Sequence, residues 1–137
     1  MEIVIIKYNA GNVQSVLFAL ERIGAKATVT DNAEKIRAAY KVIFPGVGEA
    51  STAMEYLKER GLNEVIKNLK QPVLGICLGM QLLCTHSEEN DTACLGIFDT
   101  KVRRFSFNEE SGGLKVPHIG WNKVKNTASP LFSNINI

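Results

Sequence analysis

Gly75-Ile76-Cys77-Leu78-Gly79 constrains the fold more than any other stretch of this chain. Residues 72–76 read as an apolar strand and Leu78 opens a helical pattern, so the cysteine stands where a strand runs straight into a helix. That junction is a nucleophile elbow. Its central residue takes strained backbone angles while backbones approach closely on both sides, and glycines two residues before and two after remove Cβ atoms that would clash. The spacing follows G-x-S-x-G with sulfur in place of oxygen. A helix N-terminus beside the thiol favours its thiolate, which is the reactive form.

The rest of the chain supplies a frame for such an elbow. Apolar, β-branched runs alternate with helical periodicity, the pattern of βαβ units and a parallel sheet buried on both faces. Strands are expected at residues 2–7, 26–30, 42–44 and 72–76. A first helix is expected over 13–23, capped by Asn12, with Val13, Val16, Leu17, Leu20 and Ile23 on one face and Gly24 to end it. Asp31 or Asn32 caps a shorter helix to Ala39, and Ser51 starts a third that breaks at Gly61 and continues to Leu69. The elbow helix is expected to run from Leu78 to about His86. After Asn90 the texture changes to short segments between turn residues, with candidate strands at 101–107 and 114–116. The expectation is an α/β fold, an open, mostly parallel sheet flanked by helices, with a small antiparallel excursion after about residue 95. The last residues, 129–137, form no convincing element. A chain of 137 residues with 45% hydrophobic content has material for one core, so 1–137 reads as a single domain.

Charge excludes some functions. The 16 basic and 14 acidic side chains are scattered without a block of one sign, which argues against nucleic acid and against an anionic membrane surface. The apolar start, Ile3 to Ile6, ends at Lys7 and is too short for a signal peptide or a membrane span, so the protein is expected in the cytoplasm. Cys77, Cys84 and Cys94 include no C-x-x-C pair, which speaks against a disulfide framework and a standard zinc site. No metal or cofactor is expected. Cys84 and Cys94 read as small buried hydrophobes.

A second loop completes the chemistry. Pro45-Gly46-Val47-Gly48 follows a strand, and loops at the carboxyl ends of strands in an open parallel sheet gather over one crevice. Acyl transfer through Cys77 needs two donors aimed at the developing oxyanion, and the amide of Leu78 with one from this loop meets that need.

P-G-V-G followed by G-I-C-L-G-M-Q-L-L closely resembles class I glutamine amidotransferases, which have a flavodoxin-like fold. Val116-Pro117-His118-Ile119-Gly120-Trp121-Asn122 resembles the glutaminase subunits of imidazole glycerol phosphate synthases, and the similarity runs from Met1 to about Phe132. The resemblance implies that Cys77 attacks the side-chain amide of L-glutamine while the amides of Val47 and Leu78 hold the oxyanion. Gly48, Gln81 and Glu89 would then hold the glutamine, with Glu88 as the alternative to Glu89. Ammonia would pass to a (β/α)₈-barrel synthase (cyclase) subunit in a heterodimer serving histidine biosynthesis, faced by Asn12, Pro117, Ile119 and Trp121. The family usually carries an acidic residue and two glycines in the first loop, where this chain has Tyr8, Asn9 and Ala10.

Such a thiol also needs a histidine to shuttle protons and a carboxylate to orient it. His86 is expected far down the elbow helix, more than about 10 Å from the elbow at a rise of about 1.5 Å per residue. His118 belongs to the partner-facing loop. In the family the catalytic histidine and glutamate come from a segment near the C-terminus, so the 137 residues are expected to be part of a longer protein, a naturally shortened relative being the other account. Three other functions share these features: a paralogue feeding ammonia to a different synthase, for example one amidating a sugar; a flavodoxin-like, non-catalytic binding module; and a catalytically dead scaffold.

Overall fold

The computed structural model describes residues 2–106, 116–117, 119–125 and 128–135. The chain divides into two compact units, Met1–Arg104 and Phe105–Ile137.

The first unit begins with β1 (Ile3–Ile6), α1 (Val13–Arg22), β2 (Ala27–Thr30), α2 (Ala33–Ala38) and β3 (Lys41–Phe44). It continues with α3 (Ala50–Glu59), α4 (Leu62–Lys67), β4 (Val73–Gly75) and α5 (Leu78–Leu82). These four strands form a wholly parallel sheet in the order β2-β1-β3-β4. β1 and β3 are its inner strands, and Val4, Ile5, Ile6, Val42, Ile43 and Phe44 are all buried, which is why both read in sequence as unbroken apolar runs. The order matches the first four strands of the flavodoxin-like 2-1-3-4-5 arrangement, whose switch point lies between β1 and β3.

The caps and breaks of the first helices sit at residues the sequence offers for them. Asn12 Oδ1 accepts from the Ser15 amide at 3.1 Å and caps α1; Asn32 Oδ1 accepts from Lys35 at 3.0 Å and caps α2, deciding between Asp31 and Asn32. Gly24 ends α1 at φ 70° and Gly61 separates α3 from α4 at φ 66°, both in the left-handed region. On α1, Val13, Val16, Leu17 and Leu20 are half-buried but Ile23 is 77% exposed, because the helix stops at Arg22 and Ile23 swings out as its C-cap. The third helix starts one residue earlier than expected. Its cap is Glu49, with the carboxylate accepting from the Ser51 and Thr52 amides. Leu57, Leu62, Ile66, Leu78 and Leu82 bury their side chains completely or nearly so, each contributing roughly 1.5–3 kcal/mol.

The largest departure from the sequence reading follows Leu82. The elbow helix is five residues long rather than nine, and the chain turns at Leu83 into β5 (Cys84–Ser87). A 3₁₀ turn (Glu89–Asp91), β6 (Thr92–Ala93) and β7 (Phe98–Val102) follow. The second sheet therefore begins at Cys84, ahead of residue 95, and it is mixed: β6 lies antiparallel to β5 while β7 lies parallel to it. The strand expected at 101–107 is β7, shifted toward the N-terminus; most of 114–116 lies outside the described residues.

In the second unit the described residues include a 3₁₀ turn (Pro130–Phe132) capped by Ser129, where the sequence offered no element. Among the described residues, no helix is long and apolar enough to cross a membrane.

Candidate active site at the elbow

Cys77 sits at φ 53°, ψ −119°, a conformation that L side chains rarely adopt and that neighbours must enforce. The enforcing contacts are backbone contacts. A Cβ on Gly75 would lie 2.7 Å from the Met80 Cα, and one on Gly79 would overlap the Phe44 carbonyl oxygen. The amide of Ile76 donates to that same Phe44 carbonyl at 3.0 Å, so the end of β3 is clamped to the elbow. Both flanking glycines are thus required by space, as the spacing implied. The thiol is exposed, while Leu78 beneath it is 1% exposed and anchors the turn in the core.

The P-G-V-G loop lies directly on this elbow. A Cβ on Gly46 would stand 2.5 Å from the Gly79 nitrogen and 2.7 Å from the Leu78 Cβ, so the two backbones touch. Val47 projects to solvent at 50% exposure, and Gly48 takes φ 106°, which favours glycine. No described residue accepts a hydrogen bond from the Val47 or Gly48 amide. The Leu78 amide is the first N–H of α5 and has no intrahelical acceptor. Because α5 is so short, it offers the thiol these first-turn N–H groups rather than a long helix dipole.

The other candidates fall at measured places. Gln81 is half-buried, and its amide donates to the Cys77 carbonyl at 3.1 Å, which sets it one helical turn along the face Cys77 begins. Glu89 is exposed, and its carboxylate accepts from the Ala50 amide at 2.8 Å at the start of α3. Glu88 instead accepts from the Arg104 amide at 2.8 Å and belongs to the second sheet. Asn90 donates to Glu49 at 2.6 Å, so the Glu88–Asp91 turn is tied to the N-terminus of α3 by two residues. Glu49, accepting from Ser51, Thr52 and Asn90, has its carboxyl pulled down to about 2, the Ser51 and Thr52 hydroxyls being the main causes.

Of the partner-facing candidates, Asn12 is exposed with its side chain engaged as the α1 cap. Pro117 is exposed, Ile119 is 87% exposed, and Trp121 is fully exposed. His118 lies outside the described residues. His86 is on β5, not on the elbow helix, and its Nε2 is 2.8 Å from Asp91 Oδ1. Cys84 is buried and Cys94 half-buried; burial pushes both thiols up, with the neighbouring Cys84 adding to the rise at Cys94. Among the described residues, no group of three His, Cys, Asp or Glu is placed to hold a metal ion.

Sequence reasoning passed over Tyr8. Its hydroxyl donates to the Pro45 carbonyl at 2.6 Å, and its ring packs on Phe44 with centroids 5.3 Å apart. The signal was present as a departure in the first loop, but a contact 37 positions away leaves no local trace.

A cysteine at a strained elbow on a flavodoxin-like parallel sheet, beside a glycine loop whose Val47 and Gly48 amides have no described acceptor, accords with the class I glutamine amidotransferases. The chain belongs to the SNO glutamine amidotransferase family, which it matches over residues 9–116. It is 55% identical over 132 residues to the imidazole glycerol phosphate synthase subunit HisH of Bacteroides thetaiotaomicron, covering 96% of this chain and 66% of that protein. The subunit HisH of Bacteroides fragilis is 57% identical over 132 residues, with the same coverage. That of Idiomarina loihiensis is 49% identical over 128 residues, 93% of this chain and 63% of the relative. The chain thus spans just under two thirds of the length of these relatives.

Proposed function

We propose that this chain is the elbow-bearing part of a glutaminase subunit that releases ammonia from L-glutamine for a cyclase making imidazole glycerol phosphate in histidine biosynthesis. The observation that carries the reading is Cys77, exposed at φ 53° on an elbow that two glycines and the Phe44 carbonyl hold in place. Strain of this kind costs on the order of 1–3 kcal/mol and persists where the surroundings over-determine it, commonly at reacting centres.

The chemistry runs through the residues described. The Cys77 sulfur attacks the side-chain amide carbon of glutamine, and the carbonyl electron pair moves onto oxygen. The amides of Val47 and Leu78 donate to that oxyanion. Collapse expels ammonia once its nitrogen has gained a proton, leaving a γ-glutamyl thioester, and water then cleaves the thioester to glutamate and the free thiol. Gly48, Gln81 and Glu89 orient the glutamine. The Ala50 amide fixes Glu89, so that residue would act as a preset anion for the substrate's ammonium group. His86 lies on β5 in the second sheet, where it pairs with Asp91 and makes no hydrogen bond or ion pair with Cys77, so we do not assign it the proton shuttle. Asn12 in the first unit, and separately the exposed Pro117, Ile119 and Trp121 in the second, are our candidates to face a (β/α)₈-barrel partner subunit. Free, partly buried cysteines accord with a reducing, cytoplasmic location.

The test is Cys77→Ala in the full-length protein assembled with its synthase. Glutamine-dependent product formation should fall at least about 10⁴-fold, to background, while synthesis from added ammonium salt stays within about twofold. Loss of both activities, or retention of the first, would contradict the assignment.

A further inference from the structure

Tyr8 is a buried ionisable side chain that the proposed chemistry does not use. It closes β1 and reaches across to the next strand-end loop, where its hydroxyl donates to the Pro45 carbonyl at 2.6 Å. The phenol is packed from three sides: its ring leans on Phe44, its oxygen stands 2.5 Å from where a Gly46 Cβ would be, and it is only 8% exposed. Gly11, in the same first loop at φ 129°, lies against the Pro45 ring, where a Cβ would approach to 3.4 Å. Pro45 is therefore held by the first loop at its carbonyl, with Gly11 beside its ring.

The consequence follows from backbone geometry. The Val47 amide belongs to the Gly46–Val47 peptide; Gly46, whose dihedrals turn that peptide, is closed in by the Gly79 nitrogen, the Tyr8 hydroxyl and the Leu78 Cβ, so its aim depends on the placement of Pro45 and Tyr8. Proline fixes its own φ, and a hydrogen bond on its carbonyl fixes the following peptide plane. We infer that Tyr8 is a positioning residue, which holds Pro45 so that the Val47 amide is aimed at the oxyanion formed above Cys77. This rests on the glutaminase reading of the elbow. Burial, and after it the proximity of Cys77, push the Tyr8 phenol well above its ordinary range, so it remains a protonated donor to Pro45.

The test separates aim from nucleophilicity by using two electrophiles on the same sulfur. A chloroketone carrying the α-amino and α-carboxylate groups of glutamine accepts the thiolate at its carbonyl. Sulfur bonds to the carbonyl carbon and an alkoxide forms; sulfur then bonds to the methylene as chloride leaves with its electron pair, and the first carbon–sulfur bond breaks as the carbonyl re-forms. Iodoacetamide is displaced directly, iodide leaving, with no alkoxide. The ratio of the two rates at Cys77, read by peptide mass, cancels the nucleophilicity of the sulfur and reports the oxyanion donors together with the contacts that hold the glutamine-like group, which Tyr8 does not touch. In Tyr8→Phe, which keeps the ring on Phe44, the ratio should fall at least about tenfold, short of the roughly 10²–10³ expected for deleting a donor. The iodoacetamide rate should change less than about threefold, and Cys84 should stay protected, which reports that the chain is folded. Asn9→Ala breaks the tie from Asn9 to the Thr52 carbonyl in the same loop and should leave the ratio intact.

An unchanged ratio in Tyr8→Phe, an equal fall in both rates, or an equal fall in Asn9→Ala would overturn the inference. Loss of Cys84 protection in Tyr8→Phe would overturn it too, because the tyrosine would then hold the fold rather than the loop. If instead the parent chain shows no preference for the glutamine-like chloroketone over simple chloroacetone at Cys77, the glutaminase reading itself fails, and the two failures are told apart.

Discussion

Cys77 and Cys84 stand seven positions apart, and the two regions they belong to differ in nearly every physical respect. Around Cys77 the backbone is strained, the thiol is exposed, and three glycines are pressed against neighbouring backbone. Around Cys84 the chain is a strand in a small mixed sheet, with a register shift between Cys84 and His86, the thiol is buried, and burial raises it. The glycine nearby, Gly96, has open space where a Cβ would go. Residue type is the same in both places, so reactivity must be read from what holds the backbone.

Glycine substitution breaks this comparison most severely. Gly79→Ala forces a Cβ into the Phe44 carbonyl and should destabilise the chain by on the order of 3 kcal/mol, whereas Gly96→Ala meets no atom and pays only for its left-handed φ of 69°, about 1 kcal/mol. Denaturant melts of the two variants check it. Similar losses would mean that the elbow is no more tightly constrained than the second sheet.

A smaller effect sharpens the link between the two regions. Glu49 carries a carboxyl near 2 against an ordinary 4.5, so the stability it adds is present above about 4.5 and is lost as the pH falls from there toward 2. Glu49→Gln should therefore flatten the acid limb of the melting-temperature profile in that window and leave the profile above pH 6 nearly parallel to the parent's. An unchanged acid limb would show that the Asn90, Ser51 and Thr52 contacts add nothing at this exposed site.

The parallel sheet was legible in sequence because its inner strands are buried on both faces, which turns Ile3–Ile6 and Lys41–Phe44 into runs that periodicity detects. The elbow was legible because its requirement is local: two absent Cβ atoms within five residues. The second sheet was not. Cys84-Thr85-His86-Ser87 follows the apolar Leu82-Leu83 without a glycine or proline, so the helical pattern carried past the true end of α5 and took His86 with it. Nothing local marks the ties of Glu89 to Ala50, Asn90 to Glu49 or Tyr8 to Pro45, each between residues more than 30 positions apart. Those contacts are where the candidate site is assembled.

The central claim is that the fold makes Cys77, and neither of the other cysteines, the group that meets glutamine. Site-resolved alkylation by iodoacetamide, with and without excess L-glutamine, measures it on the folded protein. Cys77 should be modified about 100-fold faster than Cys84, whose thiol reacts only through an opening costing a few kcal/mol, and ahead of Cys94; glutamine should slow Cys77 alone. Faster modification of Cys84 or Cys94, or a Cys77 rate that glutamine leaves untouched, would contradict the account.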